Sequence, residues 1–90
     1  MILFEKEING GVQIVHKFDN GYGASVIKNP YSYGGDVGLW EIAVLIFDGS
    51  DNYALTYDTE ITSDVLGGLS EDEVQAVLSK IELLDKKDNK

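Results

Sequence analysis

A chain of 90 residues and 9.9 kDa is one domain, because two independent cores would each fall near the size at which folding alone needs disulfides or metal. It has no cysteine, no arginine and a single histidine, which removes disulfides, thiol nucleophiles, thiolate or multi-histidine metal sites and a guanidinium clamp on phosphate from what one chain can do. The formal charge is -9, and its source is localised: the acids Asp36, Glu41, Asp48, Asp51, Asp58, Glu60, Asp64, Glu71, Asp72 and Glu73 lie in residues 29–79, which hold no lysine.

Such a field repels nucleic acid and anionic lipid and attracts basic surfaces. Direct nucleic-acid binding is not expected, because no lysine cluster exists to displace counterions. The N-terminus, Met1-Ile2-Leu3-Phe4-Glu5, has neither the basic region nor the sustained apolar stretch of a secretory signal. The longest apolar run, Ile42 to Phe47, is far short of the roughly 20 residues that span a membrane. The expectation is a soluble, cytoplasmic protein with no membrane association.

Along the chain, residues 1–8 alternate loosely and end at Asn9-Gly10-Gly11, a hairpin signal because both Asn and Gly tolerate positive φ. Residues 12–18 place Val12, Ile14, His16 and Phe18 on one face of a half-buried strand. Asp19-Asn20-Gly21 is a second turn. Residues 22–28 form a strand in which Gly23 marks a bulge or a close backbone approach. Residues 29–38 form the longest loop and contain the only proline. Residues 39–47 are the strongest strand. Both its faces are largely apolar, so it is central and covered twice, or one face meets another subunit.

Asp48-Gly49-Ser50-Asp51-Asn52 is a turn and residues 53–57 the next strand. Thr62 to Gly67 read as one helical turn capped by Gly67. Ser70-Glu71-Asp72-Glu73 is a capping box that opens a helix with Ser70 as N-cap, and Val74, Val77, Leu78, Ile81 and Leu84 make its apolar stripe. Lys86 and Lys87 close it at the negative end of the dipole. The fold class is α+β: an antiparallel four- or five-stranded meander with one C-terminal helix packed on a sheet face.

No constellation for catalysis emerges. His16 sits on the apolar side of a strand, where a structural histidine at the sheet edge explains it. The serines at 25, 32, 50, 63 and 70 lack a nucleophile-elbow setting. The turn at 48–52 is similar in composition to a calcium loop but lacks the distal bidentate Glu, and the glycine-rich loop lacks the lysine of a phosphate loop. No cofactor and no metal are expected. The remaining candidates are binding residues. Tyr22, Tyr31 and Tyr33 lie near glycines, and tyrosine gives large contact area at low entropic cost.

The strings Phe18-Asp-Asn-Gly-Tyr-Gly-Ala-Ser-Val26, Ser32-Tyr-Gly-Gly35, Gly38-Leu-Trp-Glu-Ile-Ala-Val-Leu45 and Leu69-Ser-Glu-Asp-Glu-Val74 resemble small uncharacterised proteins encoded by bacteriophages. The likeness spans roughly residues 17–84 and brings no catalytic residue. It implies a context in which small acidic proteins bind and inhibit a host protein, some by mimicking the charge of DNA. The expected function is therefore a non-enzymatic acidic protein that docks on and inhibits a basic host protein, a nucleic-acid-binding protein being the narrower version of that partner. Tyr31, Tyr33, Asp36, Asp48, Asp51, Asp58 and Glu60 are the candidate contacts. The alternative is an assembly protein whose strand 39–47 forms a homodimer or particle contact.

Overall fold

The computed structural model describes residues 2–8, 10–28, 38–56 and 66–84. Three antiparallel strands come first: β1 (Ile2–Ile8), β2 (Gly11–Lys17) and β3 (Tyr22–Lys28). The turns between them use Gly10 and Gly21 at positive φ, as the Asn-Gly pairs require. β4 (Trp40–Phe47) follows, then the short β5 (Tyr53–Leu55) and β6 (Leu66–Leu69), and last the helix α1 (Glu71–Glu82). The sheet runs β1-β2-β3-β4-β5, and β6 also pairs with β4. β5 bonds the C-terminal half of β4, with Leu45 opposite Leu55, while β6 bonds its N-terminal half, with Trp40 opposite Leu69. The α+β class and the meander with one packed helix are as the sequence indicates.

Register settles the two faces. Ile14, Val26 and Ile42 form one cross-strand row, and His16, Ala24 and Val44 the next. These rows face α1, whose Val74, Leu78 and Ile81 complete the main core with Phe18. The opposite face carries a second cluster, Val15, Leu45 and Phe47, flanked by Leu3 and Phe4. A register shift between Ile2 and Phe4 brings these two neighbours to the same cluster, because a bulge suspends the strict alternation of a strand. Ile42, Leu45, Ile81, Val15 and Val44 are fully buried, each contributing about 1.5–3 kcal/mol of apolar burial.

The doubly apolar character of β4 is thereby explained within one chain. Ile42 and Val44 lie beneath the helix, while Ala43, Leu45 and Phe47 are buried on the other side. The homodimer or particle contact through strand 39–47 loses the observation that motivated it.

Two elements depart from the sequence expectation. Residues 66–69 are not the end of a helical turn capped by Gly67; they are strand β6. Pairing to β4 overrides the weak strand propensity of Leu-Gly-Gly-Leu, and Gly68, at φ 69°, accommodates the register shift between Trp40 and Ile42. The helix starts as expected: Glu73 N–H donates to Ser70 Oγ and Ser70 N–H to Glu73 Oε1. It ends at Glu82 with Leu83 as C-cap; Lys86 and Lys87, expected to close it, lie outside the described residues. Among the described residues a side chain that caps this end is Asn20, in the β2–β3 turn. Its Nδ2 donates to the carbonyl oxygens of Ile81 (2.9 Å), Leu84 (3.0 Å) and Glu82 (3.2 Å). Its Oδ1 accepts from Tyr22 N–H at 3.0 Å. One side chain thus ties the hairpin to the negative end of the helix.

Candidate functional site

Of the seven candidate contact residues, Tyr31, Tyr33, Asp36, Asp58 and Glu60 lie outside the described residues. Asp48 and Asp51 lie in the β4–β5 turn, and both have local tasks. Asp48 accepts hydrogen bonds from Ser50 N–H (3.0 Å) and Ser50 Oγ–H (2.6 Å), which fold the turn and hold its carboxyl below the usual carboxylate value. Asp51 pairs with Lys17 Nζ at 2.9 Å. The same ammonium lies 5.3 Å from the centroid of the Phe47 ring. The turn borders a cleft of about 230 Å³ between Phe47 and Tyr53. Tyr22, expected beside the tyrosine loop, opens β3 and packs half-buried against the main core.

The described acids of the central segment do not form one patch. Asp48 and Asp51 follow the C-terminal end of β4, whereas Glu71, Asp72 and Glu73 follow β6, which pairs with the N-terminal end of that strand. Eight strand residues separate the two groups, roughly 26 Å at about 3.3 Å per residue.

A second feature, which the sequence did not single out, lies at the helix end of this axis. Between the N-terminal half of α1 and the β1–β2 side of the sheet runs an open groove of about 340 Å³. Its floor is Ile14, His16 and Val26, with Trp40 alongside and Ile2 on the β1 side. Its helix wall is Glu71, Asp72, Val74, Gln75 and Leu78. Beside the floor, on the same face of the sheet by register, β1 places Glu5 opposite Ile14 and Glu7 opposite Val12, both exposed. Lys28, opposite Val12, rests its ammonium 4.6 Å from the centroid of the Trp40 ring. Lys6 and Lys17, opposite Gln13 and Gly23, belong to the other face by register.

His16 is thus neither at an edge nor in a closed core. It sits one strand in from β1, half-buried in the groove floor, and burial lowers its pKa from the ordinary 6.5. Its ring stacks near Phe18, with centroids 6.2 Å apart. Among the described residues, no cluster of three or more His, Asp or Glu side chains is spaced to hold a metal ion. No described helix is long and apolar enough to cross a membrane.

Comparison with protein-family models, curated proteins and solved structures finds no match to this chain.

Proposed function

We propose that this protein is a non-enzymatic acidic binding module that docks on a basic protein. The observation that carries the reading is the distribution of charge: ten of the sixteen acids fall in a stretch of 51 residues without a lysine, and Asp48, Asp51, Glu71, Asp72 and Glu73 are all exposed. A surface of this kind steers a cationic partner toward it and disfavours nucleic acid and anionic lipid. The likeness to small phage-encoded proteins adds a setting in which the partner is a host protein and docking inhibits it. Separation of the described carboxylates into two groups favours a partner read at one end over a mimic of a continuous phosphate row.

The test is affinity capture from lysate of the native host at low and high salt, with mass spectrometry of what is retained. Retention of a basic protein that salt releases is expected, because exposed charge pairs are screened beyond about 8–10 Å at physiological ionic strength. Retention that salt does not alter, or of acidic proteins alone, contradicts the proposal.

A further inference from the structure

We propose that the groove between α1 and the β1–β2 side of the sheet is where the partner is seated, and that it takes a basic peptide segment with a large apolar side chain between flanking lysines or arginines. This rests on the reading of a basic protein partner and goes beyond it by naming the seat and the chemistry of the occupant.

The floor selects the apolar side chain. Ile14, Val26, Val74 and Leu78 line it, and Ile2, more than half exposed, lies on its β1 side. At about 340 Å³ the groove lies near the lower end of ligand-site volumes, suited to one or two large side chains. The surroundings select the charge. Glu73 is engaged in the capping box, which leaves Glu71 and Asp72 on the helix wall, and register puts Glu5 and Glu7 on the same face of the sheet, on β1 beside the floor. The helix N-terminus offsets about half a charge, and Lys28 and the N-terminal ammonium, whose charge acts on His16, about one each, so the four carboxylates still leave this face net negative. Lys28, placed on Trp40, is the lysine that register puts on this face of the sheet. An anionic occupant meets carboxylates on both sides. A cationic one pairs with Glu71 and Asp72 and extends toward Glu5 and Glu7 on β1 while its apolar side chain fills the floor.

Trp40 is the only tryptophan and lines the groove, so its fluorescence reports occupancy directly. The full chain is titrated with three short synthetic peptides: alternating lysine and leucine, alternating lysine and serine, and alternating glutamate and leucine. Amide shifts are mapped by NMR. The lysine–leucine peptide is expected to bind saturably, to change Trp40 emission and to shift amides of Ile14, His16, Glu71 and Val74. The double variant Glu5→Gln, Glu7→Gln weakens it about tenfold, or about 1.4 kcal/mol, and leaves the helix N-terminus untouched. The variant Asp19→Asn, an exposed acid in the β2–β3 turn, leaves affinity unchanged. Circular dichroism verifies that each variant is folded.

Absence of lysine–leucine binding overturns the proposal, and so does equal binding of the glutamate–leucine peptide. Equal binding of the lysine–serine peptide removes the apolar seat, and shifts confined to residues 48–53 move the seat to the turn; in both cases the basic-partner reading survives. Self-association without peptide, accompanied by a Trp40 change, assigns the groove to a second copy instead. If the groove binds the lysine–leucine peptide while lysate capture retains no basic protein, the site stands and the wider reading fails.

Discussion

Replacing Asn20 tests whether a single turn residue holds the helix to the sheet. Its amide has two N–H groups, directed at the carbonyls of Ile81, Glu82 and Leu84, and its oxygen receives Tyr22 N–H. Asn20→Ala removes these bonds together. Each contributes about 0.5–1.5 kcal/mol net, and water can reach the exposed Glu82 carbonyl in compensation. The expected loss is about 1–3 kcal/mol, a fall in melting temperature of about 4–8 °C per kcal/mol for a domain of this size. Asn20→Asp keeps the acceptor toward Tyr22 but sets a carboxylate against three carbonyls at the negative end of the helix dipole. That repulsion adds about 0.3–1 kcal/mol, or more where partly buried.

The two variants separate by pH. In the folded state of Asn20→Asp the carbonyls raise the pKa of the introduced carboxyl above its unfolded value of about 3.9. Its charge penalty is therefore complete above the folded pKa and disappears as pH falls through it, when the protonated acid can donate again. The assay is urea unfolding followed by far-ultraviolet circular dichroism across the acid range. The stability of Asn20→Asp should rise relative to Asn20→Ala on acidification. Parallel pH profiles for the two variants would refute the claim that this side chain faces helix carbonyls.

Gly23→Ala should destabilise, although alanine ordinarily does better than glycine inside a strand. A Cβ there would collide with the His16 carbonyl oxygen and lie 2.5 Å from Phe47 Cε1, so a cost of about 1–3 kcal/mol is expected in thermal unfolding; a gain would contradict the packing. His16 loses basicity on burial, so its folded pKa lies below 6.5 and its contribution is complete above that value and falls away as pH drops beneath it. His16→Gln should accordingly flatten the stability profile between neutral and mildly acidic pH, while the N-terminal ammonium, which adds to the lowering, and the groove's Glu71 and Asp72 are the same in both proteins. Asp51→Asn breaks an ion pair whose aspartate is largely exposed, and should change unfolding free energy by less than about 1 kcal/mol in a salt-dependent manner.

The sequence made the strands legible where a face alternates and a turn residue follows. Val12, Ile14, His16 and Phe18 declared one face of β2, and Gly23 declared a close approach that the Phe47 ring and the His16 carbonyl now account for. The helix was legible from its capping box and stripe. Its far end was not, because the cap comes from Asn20, about sixty residues earlier, as a contact between the hairpin and the last turn. β6 was hidden because Leu-Gly-Gly-Leu has little strand propensity and pairs only once β4 is in place. The count of acids was legible and their placement was not: Asp48 and Glu71 share a charge excess in sequence but sit at opposite ends of β4. The groove is not legible in the sequence because its members come from β1, β2, β3, β4 and α1, and no local spacing joins them.

That groove follows from dimensions. Five strands at about 4.8 Å spacing make a sheet roughly 19 Å across between its outer strands, whereas a helix with its side chains covers about 10–12 Å. α1 lies over β3, β4 and β6, so the β1–β2 side of the same face receives no second helix among the described residues. A chain selected only for solubility would make that uncovered strip polar, and β1 does so with Glu5 and Glu7. Yet Ile2, Ile14 and Val12 remain apolar on the strip, none of them fully buried, with Trp40 at its border. Ile14 and Trp40 are shared with the main core, against which they pack, so their apolar character has a structural reason of its own. Ile2 is not among the residues packed on that core and is more than half exposed at the border of the groove, and it is the apolar side chain that the proposed occupant would cover.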